Sequence, residues 1–214
     1  MLSFIGGTGP EGLGLAIRLA LAGERVIIGS RSLDRAQEAA RSVLQRVPAA
    51  LVAGSLNIDA AKQGDMVFLS VPYGAQRGTL SDLKEHLKGK IVVSVVGPLL
   101  FQKGRARAIR VEAGSAAEET QQLLPDARVV SAFQNVSAEG LMVPDKDLGC
   151  DVIVCSDDAE ARARVMSLAA KIRGVRPLNG GPLENSRYVE ELTALLLNLN
   201  RTYKAHTSIK VTGI

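Results

Sequence analysis

Tryptophan is absent from the 214-residue chain, and four Phe and three Tyr are its only other aromatic rings. Proteins that hold single-stranded nucleic acid stack bases on aromatic platforms, so this poverty argues against that class in spite of a net charge of +4. Cysteine is nearly as scarce. Cys150 and Cys155 are too few for a disulfide framework, and their neighbourhood offers no further ligands of the kind a zinc site needs. No apolar run reaches the roughly 18 residues that span a bilayer; the longest, Ile91 to Phe101, is broken by Gly97 and Pro98. Met1 leads straight into Leu2-Ser3-Phe4-Ile5, with neither the basic region nor the cleavage site of a signal peptide. The expectation is a cytoplasmic protein with reduced thiols, bound neither to nucleic acid nor to a membrane.

What the chain does have is aliphatic residues in short β-branched runs and 21 glycines. Leu2–Ile5, Arg25–Gly29, Ala50–Gly54, Met66–Val71 and Ile91–Val96 read as strands. Between them Gly12–Ala22, Leu33–Gln45, Asn57–Lys62 and Ala75–His86 carry helical periodicity. Strands alternating with helices imply βαβ units with right-handed crossovers, hence an α/β fold with a doubly wound, Rossmann-type parallel sheet. Beyond Pro98 the pattern is least regular, and Lys103, Arg105, Arg107 and Arg110 make it basic. A helix is predicted over Ser115–Leu124, strands over Val129–Phe133 and Val152–Cys155 with a loop from Gln134 to Asp151 between them, a helix over Asp157–Ile172 and a strand over Val175–Leu178. Gly180-Gly181-Pro182 reads as a hinge, dividing a dinucleotide-binding domain, residues 1–180, from a small helical extension, residues 181–214. The extension contains a helix over Ser186–Tyr203 whose run Leu192–Leu197 is apolar on all sides, which calls for cover on both faces and implies a homodimer.

Gly7-x-Gly9-x-x-Gly12 falls between the first predicted strand and helix. In that context the first glycine serves a tight turn, the second close approach to a pyrophosphate, and the third packing of helix on strand. Free N–H groups at the helix start bind the phosphates. At the end of the second strand, where an acid would accept from the ribose hydroxyls of NAD, the chain reads Gly29-Ser30-Arg31-Ser32. Ser30 can donate to a 2′-phosphate and Arg31 can pair with it, with Arg35 a second cation, so NADP(H) is the expected dinucleotide. Two more strand exits face the same crevice: Leu69-Ser70-Val71-Pro72-Tyr73, which brings Ser70 to it, and Ser94-Val95-Val96-Gly97-Pro98-Leu99. No Y-x-x-x-K pair and no His-Asp pair are present to serve as the general base of an alcohol dehydrogenase. Direct hydride transfer between two bound cofactors, without a catalytic side chain or a metal, fits that lack.

The opening Gly6-Gly7-Thr8-Gly9, the clamp Gly29-Ser30-Arg31, Lys90-Ile91-Val92-Val93-Ser94, Val129-Val130-Ser131-Ala132-Phe133, Cys155-Ser156-Asp157-Asp158, Arg176-Pro177-Leu178 and the ending Asn185-Ser186-Arg187 with Ser208-Ile209-Lys210 resemble the NADPH-dependent F420 reductases along essentially the whole chain. Ferric-reductase domains of the STEAP type and pyrroline-carboxylate reductases share the first motif but not this ending. The resemblance implies hydride exchange between the nicotinamide C4 of NADP(H) and C5 of the deazaflavin ring of coenzyme F420. It implies that Thr8, Gly9, Pro10 and Glu11 touch the pyrophosphate region and that Ser30, Arg31 and Arg35 hold the 2′-phosphate. Tyr73, Gly97, Leu99 and Ala138 are expected at the nicotinamide and deazaflavin face, with Thr207 approaching from the tail. Gln134 stands where the family usually has His. Lys103, Arg105, Arg107, Arg187 or Lys204 offer a basic rim for the anionic F420 tail. Two alternatives stand beside this reading: an NADPH-dependent reductase of another flavin, a ferric-flavin or an imine, and a non-catalytic NADP-sensing module.

Overall fold

The computed structural model describes the whole chain, Met1–Ile214. Strands β1 (Leu2–Ile5), β2 (Val26–Ser30), β3 (Val52–Leu56), β4 (Met66–Leu69) and β5 (Ile91–Ser94) are separated by helices α1 (Pro10–Leu21), α2 (Leu33–Arg46), α3 (Asn57–Gln63) and α4 (Tyr73–Leu87). A hairpin of β6 (Leu99–Gln102) and β7 (Arg105–Ala108) follows, then α5 (Ala116–Leu123), β8 (Arg128–Ser131), the short α6 (Ala138–Leu141), β9 (Cys150–Val154), α7 (Ala159–Ala169), β10 (Val175–Asn179) and α8 (Ser186–Tyr203). The main sheet is parallel throughout, in the order β3-β2-β1-β4-β5-β8. Chain order reverses between β1 and β4, which opens a crevice at their carboxyl ends. No helix is long and apolar enough to cross a membrane.

The central strands are unbroken apolar runs because both sheet faces are covered. Along β1 and β4 the period of two sends Phe4 and Phe68 to one face, among Leu15, Ile17, Val43 and Val165 from α1, α2 and α7. Ile5 and Leu69 go to the other, among Leu80, Leu87 and Ala117 from α4 and α5. Phe4 and Phe68 stack at 4.6 Å across the paired strands, a contact worth about 1 kcal/mol beyond its buried area.

Several expectations need correction. The strand expected over Val152–Cys155 begins at Cys150 and pairs in parallel with β10 rather than extending the main ladder. Its link to the main sheet is one antiparallel bridge, Ser131 to Cys155, with N–H···O distances of 2.8 and 3.0 Å. The irregular basic segment is an antiparallel hairpin turning through Lys103 (φ 49°) and Gly104 (φ 73°), the two positive φ values a tight hairpin requires. It is held from a distance. The Asn198 amide on α8 accepts from the Ala106 N–H at 3.1 Å and donates to the Ala106 carbonyl at 2.9 Å, while Arg201 donates to the Gly104 carbonyl at 2.7 Å.

The loop expected between Gln134 and Asp151 contains α6 and is organised by Arg18, which is 2% exposed on α1. Its guanidinium donates to the carbonyls of Gly140, Leu141, Pro144 and Lys146 at 2.6–3.0 Å, spending the planar fork of donors on one loop. On α8, Ala194 and Leu196 are buried while Leu195 is 54% exposed. Glu190 of the same helix is fully buried and accepts from the Ala116 and Ala117 N–H groups at 2.7 and 3.0 Å, capping α5. The tail after α8 returns along β9, where Ile209 accepts from the Asp151 N–H at 2.9 Å and Arg176 ties Asp151 to Val211.

Candidate functional site

At the exit of β1 the turn is made by Gly6, at φ 72°, rather than by Gly7; an ordinary side chain rarely adopts that backbone. A Cβ on Gly12 would lie 2.4 Å from Ser70 Oγ and 2.9 Å from Gly7 Cα, so α1 can approach β4 only without one. Around Gly9 nothing lies within 4 Å of such a Cβ. Its backbone faces open space where a ligand would come. Pro10 occupies the first helical turn, where its missing N–H costs nothing, and α1 therefore starts two residues before the expected Gly12.

These elements enclose a cavity of about 600 Å³. Thr8, Gly9, Pro10, Glu11, Ser30, Arg31, Arg35, Ser70 and Gly97, all expected at the site, line it. Asn57, not expected there, also lines it and accepts from the Gly6 N–H at 3.1 Å, bracing the turn. At the other end Ser32 caps α2 by accepting from the Arg35 N–H. The Ser30 hydroxyl accepts from the Ser32 N–H at 3.2 Å, which leaves its own proton free to give. Arg31 and Arg35 are exposed, and neither lies within 4.0 Å of a carboxylate. A dinucleotide with an anionic group on its adenosine end fits this charge distribution.

A second cavity, of about 310 Å³, adjoins the first; Pro10, Glu11, Val95 and Gly97 line both. Leu99, Ala138 and Thr207, expected at the ring face, line it with Thr193, Leu196 and Asn200 of α8. Thr207 is pinned by its N–H on Asn200 Oδ1 and its hydroxyl on the Leu196 carbonyl. Gln134 and Asn135 enter it from β8 through Phe133, a buried residue at φ 76°. A non-glycine residue held there costs roughly 1–3 kcal/mol. The Gln134 amide donates to the Ser94 carbonyl (2.9 Å) and Ser131 Oγ (2.8 Å), and that of Asn135 to the Val189 carbonyl (2.9 Å). The oxygens of both amides are buried without partners. No side chain is paired as nucleophile and base across the two cavities.

Glu11 is the ionisable group at the junction. Burial, and then the charge of Glu139, push its carboxyl up to about 8. Two expected residues line neither cavity. Gly7 lies beneath the loop, where a Cβ would sit 2.6 Å from Phe4 Cβ. Tyr73 packs on the second core cluster, and its hydroxyl is raised by burial and by Glu119. The helix begins at Tyr73 itself, two residues earlier than its periodicity predicts, and the Tyr73 hydroxyl lies beside Glu119 of α5.

The model of the family described as NADP oxidoreductase, coenzyme F420-dependent, matches residues 1–98. The chain is 44% identical to the F420-dependent NADP reductase of Methanocaldococcus jannaschii over 100% of its own length and 98% of that protein. Identity to the F420-dependent NADP reductase of Methanothermobacter marburgensis is 40% over the same shares. A crystal structure from Arthrobacter sp. FB24, provisionally described as an F420-dependent NADP reductase, superposes with a TM-score of 0.82 at 27% identity over 99% of each chain. With its open glycine loop, unpaired arginines and second, adjoining cavity, this chain belongs to the F420-dependent NADP reductase family.

Proposed function

We infer that this protein is an oxidoreductase that transfers a hydride between NADP(H) and coenzyme F420, reversibly. The observation that carries the reading is the joining of two cavities at Pro10, Glu11, Val95 and Gly97, since hydride transfer needs its two rings in contact with water excluded. Both coenzymes are substrates of this reaction. One gives a hydride from the nicotinamide C4 and the other takes it at the deazaflavin C5.

The chain binds and orients. Thr8, Gly9, Pro10 and the α1 N-terminus receive the pyrophosphate, Ser30, Arg31 and Arg35 hold the 2′-phosphate, and Ser70 and Gly97 flank the nicotinamide end. Leu99, Ala138 and Thr207 wall the deazaflavin, with Gln134 and Asn135 beside it. In this reading residues 1–180 hold the dinucleotide and residues 181–214 complete the second cavity. The exposed apolar side chains of Tyr188, Leu195, Tyr203 and Phe101 support a homodimer formed around α8 and the hairpin. The two unpaired, buried cysteines suit a reducing cytoplasm.

The test is to mix protein, NADPH and F420 and follow the visible absorbance of the deazaflavin, which bleaches if the reading is right. No bleaching, with turnover of FMN or riboflavin, would transfer the activity to another flavin. Dinucleotide binding without turnover of any acceptor would leave a sensor.

A further inference from the structure

One ionisable side chain stands between the cavities, and its expected place beside the pyrophosphate gives its carboxyl no part in the chemistry. Glu11 lines both spaces. Its Oε1 is enclosed without a hydrogen-bond partner, although part of the residue still meets solvent. An ionised oxygen left unpaired in such a place is costly, whereas a neutral carboxyl has an O–H to give. The groups around it favour the neutral form. Burial and the Glu139 charge raise the carboxyl, against the pull of the α1 N-terminus. From α6 the facing charge is Glu139, and from the tail it is His206, whose Nδ1 lies 3.4 Å from Glu139 Oε2. Arg31 and Arg35 line the larger cavity, where the adenosine 2′-phosphate would neutralise them. The exit of β5 and the wall formed by α8 bring only uncharged residues, Val95, Gly97, Thr193 and Leu196 among them.

The reaction needs such a group. NADPH surrenders a hydride, whereas reduction of the deazaflavin adds a hydride and a proton, so each turnover consumes one proton at the ring. We propose that Glu11 is the acid of this reaction: as the hydride passes from nicotinamide C4 to ring carbon C5, the Glu11 O–H bond breaks and its proton goes to ring nitrogen N1, where the displaced electron pair arrives, leaving the Glu11 carboxylate. Glu11 is itself partly exposed, and its carboxylate regains a proton from solvent. In the reverse direction the Glu11 carboxylate takes the N1 proton as the hydride leaves. The proposal rests on the F420 reading and adds to it a role that orientation alone does not contain.

The test compares wild type with Glu11→Gln and Glu139→Gln. In carbon-13 spectra of protein labelled at its glutamate carboxyls, with neither coenzyme added, the resonance lost in Glu11→Gln should titrate well above the ordinary carboxylate range. In Glu139→Gln it should move to lower pH, because a like charge has gone. Titration in the ordinary range would overturn the proposal. In turnover, wild-type kcat for F420 reduction should fall as pH rises through that titration. Glu11→Gln should lose this limb and about 10²-fold in kcat at saturating NADPH, with a wild-type circular-dichroism spectrum showing that it folds. A Glu11→Gln enzyme with wild-type kcat and an unaltered pH profile would refute the role while leaving the reductase intact. A wild type that binds NADPH but never reduces F420 would defeat the functional reading itself, and this proposal with it.

Discussion

Replacing Arg31 by Ala should separate NADP from NAD. In the free protein the Arg31 and Arg35 guanidinium groups are exposed and have no carboxylate within 4.0 Å. No existing ion pair must therefore be broken for them to meet a phosphate. A hydrogen bond to a charged group contributes about 1.5–3 kcal/mol, and the exposure of this one places it toward the lower end in ordinary salt. Arg31→Ala should raise the NADPH dissociation constant roughly 10- to 100-fold. NADH lacks the 2′-phosphate and should change by less than about 2-fold. Titration of nicotinamide fluorescence gives both constants, and repetition at several salt concentrations should show a shallower salt dependence in the variant. Because Ser32 rather than Ser30 caps α2, Ser30→Ala should also act on NADPH selectively, without loss of helix stability. Equal weakening of the two dinucleotides in Arg31→Ala would mean that the arginine braces the loop, and the clamp would have to be reassigned.

Gly9 and Gly12 should behave oppositely on substitution by Ala. The Gly12 Cβ would collide with Ser70 and Gly7, so Gly12→Ala should lower the unfolding free energy by about 1–3 kcal/mol. The Gly9 Cβ meets nothing within 4 Å, so Gly9→Ala should keep the wild-type melting temperature while weakening NADPH binding. Glu190→Ala leaves the buried Ala116 and Ala117 N–H groups without partners and should cost about 2–5 kcal/mol in denaturant unfolding. Burial raises the Glu190 carboxyl from its ordinary 4.5 to about 8, against the pull of those two N–H groups. The neutral form is then favoured on folding: its stabilisation is complete below 4.5 and is lost as pH rises through about 8. Unfolding free energy measured across that window should fall with pH in wild type and run flatter in Glu190→Gln.

The parts of the fold that the sequence makes legible are those governed by neighbours along the chain. Unbroken apolar runs place β1, β2, β4 and β5, which are buried on both faces, and period-3.6 patterns place the helices between them, while the edge strand β3 is only partly buried and its bounds are read two residues early. Glycine spacing and the Ser30-Arg31 pair locate the larger cavity for the same reason, being a strand, a turn and a helix start in succession. The remainder depends on contacts across the fold. Arg18 looks like an ordinary helix-surface cation until its partners more than a hundred residues away are seen. The hairpin after Pro98 carries no strong apolar alternation, and its register is fixed by Asn198 on α8. Gln134 and Asn135 reach the second cavity through the positive φ of Phe133, which no local pattern announces. The resemblance puts Tyr73 at the ring face, whereas its hydroxyl lies beside Glu119 of α5, a partner more than forty residues away.

The most direct measurement follows one labelled atom. NADPH carrying deuterium at the transferring position of C4 should deliver it to C5 of the deazaflavin in a single turnover, read by mass spectrometry, with no label in the water. That outcome is required if the rings meet where Pro10, Glu11, Val95 and Gly97 join the two cavities. Deuterium lost to solvent, or reduced F420 carrying only protium from the buffer, would contradict direct transfer and with it the account of this site.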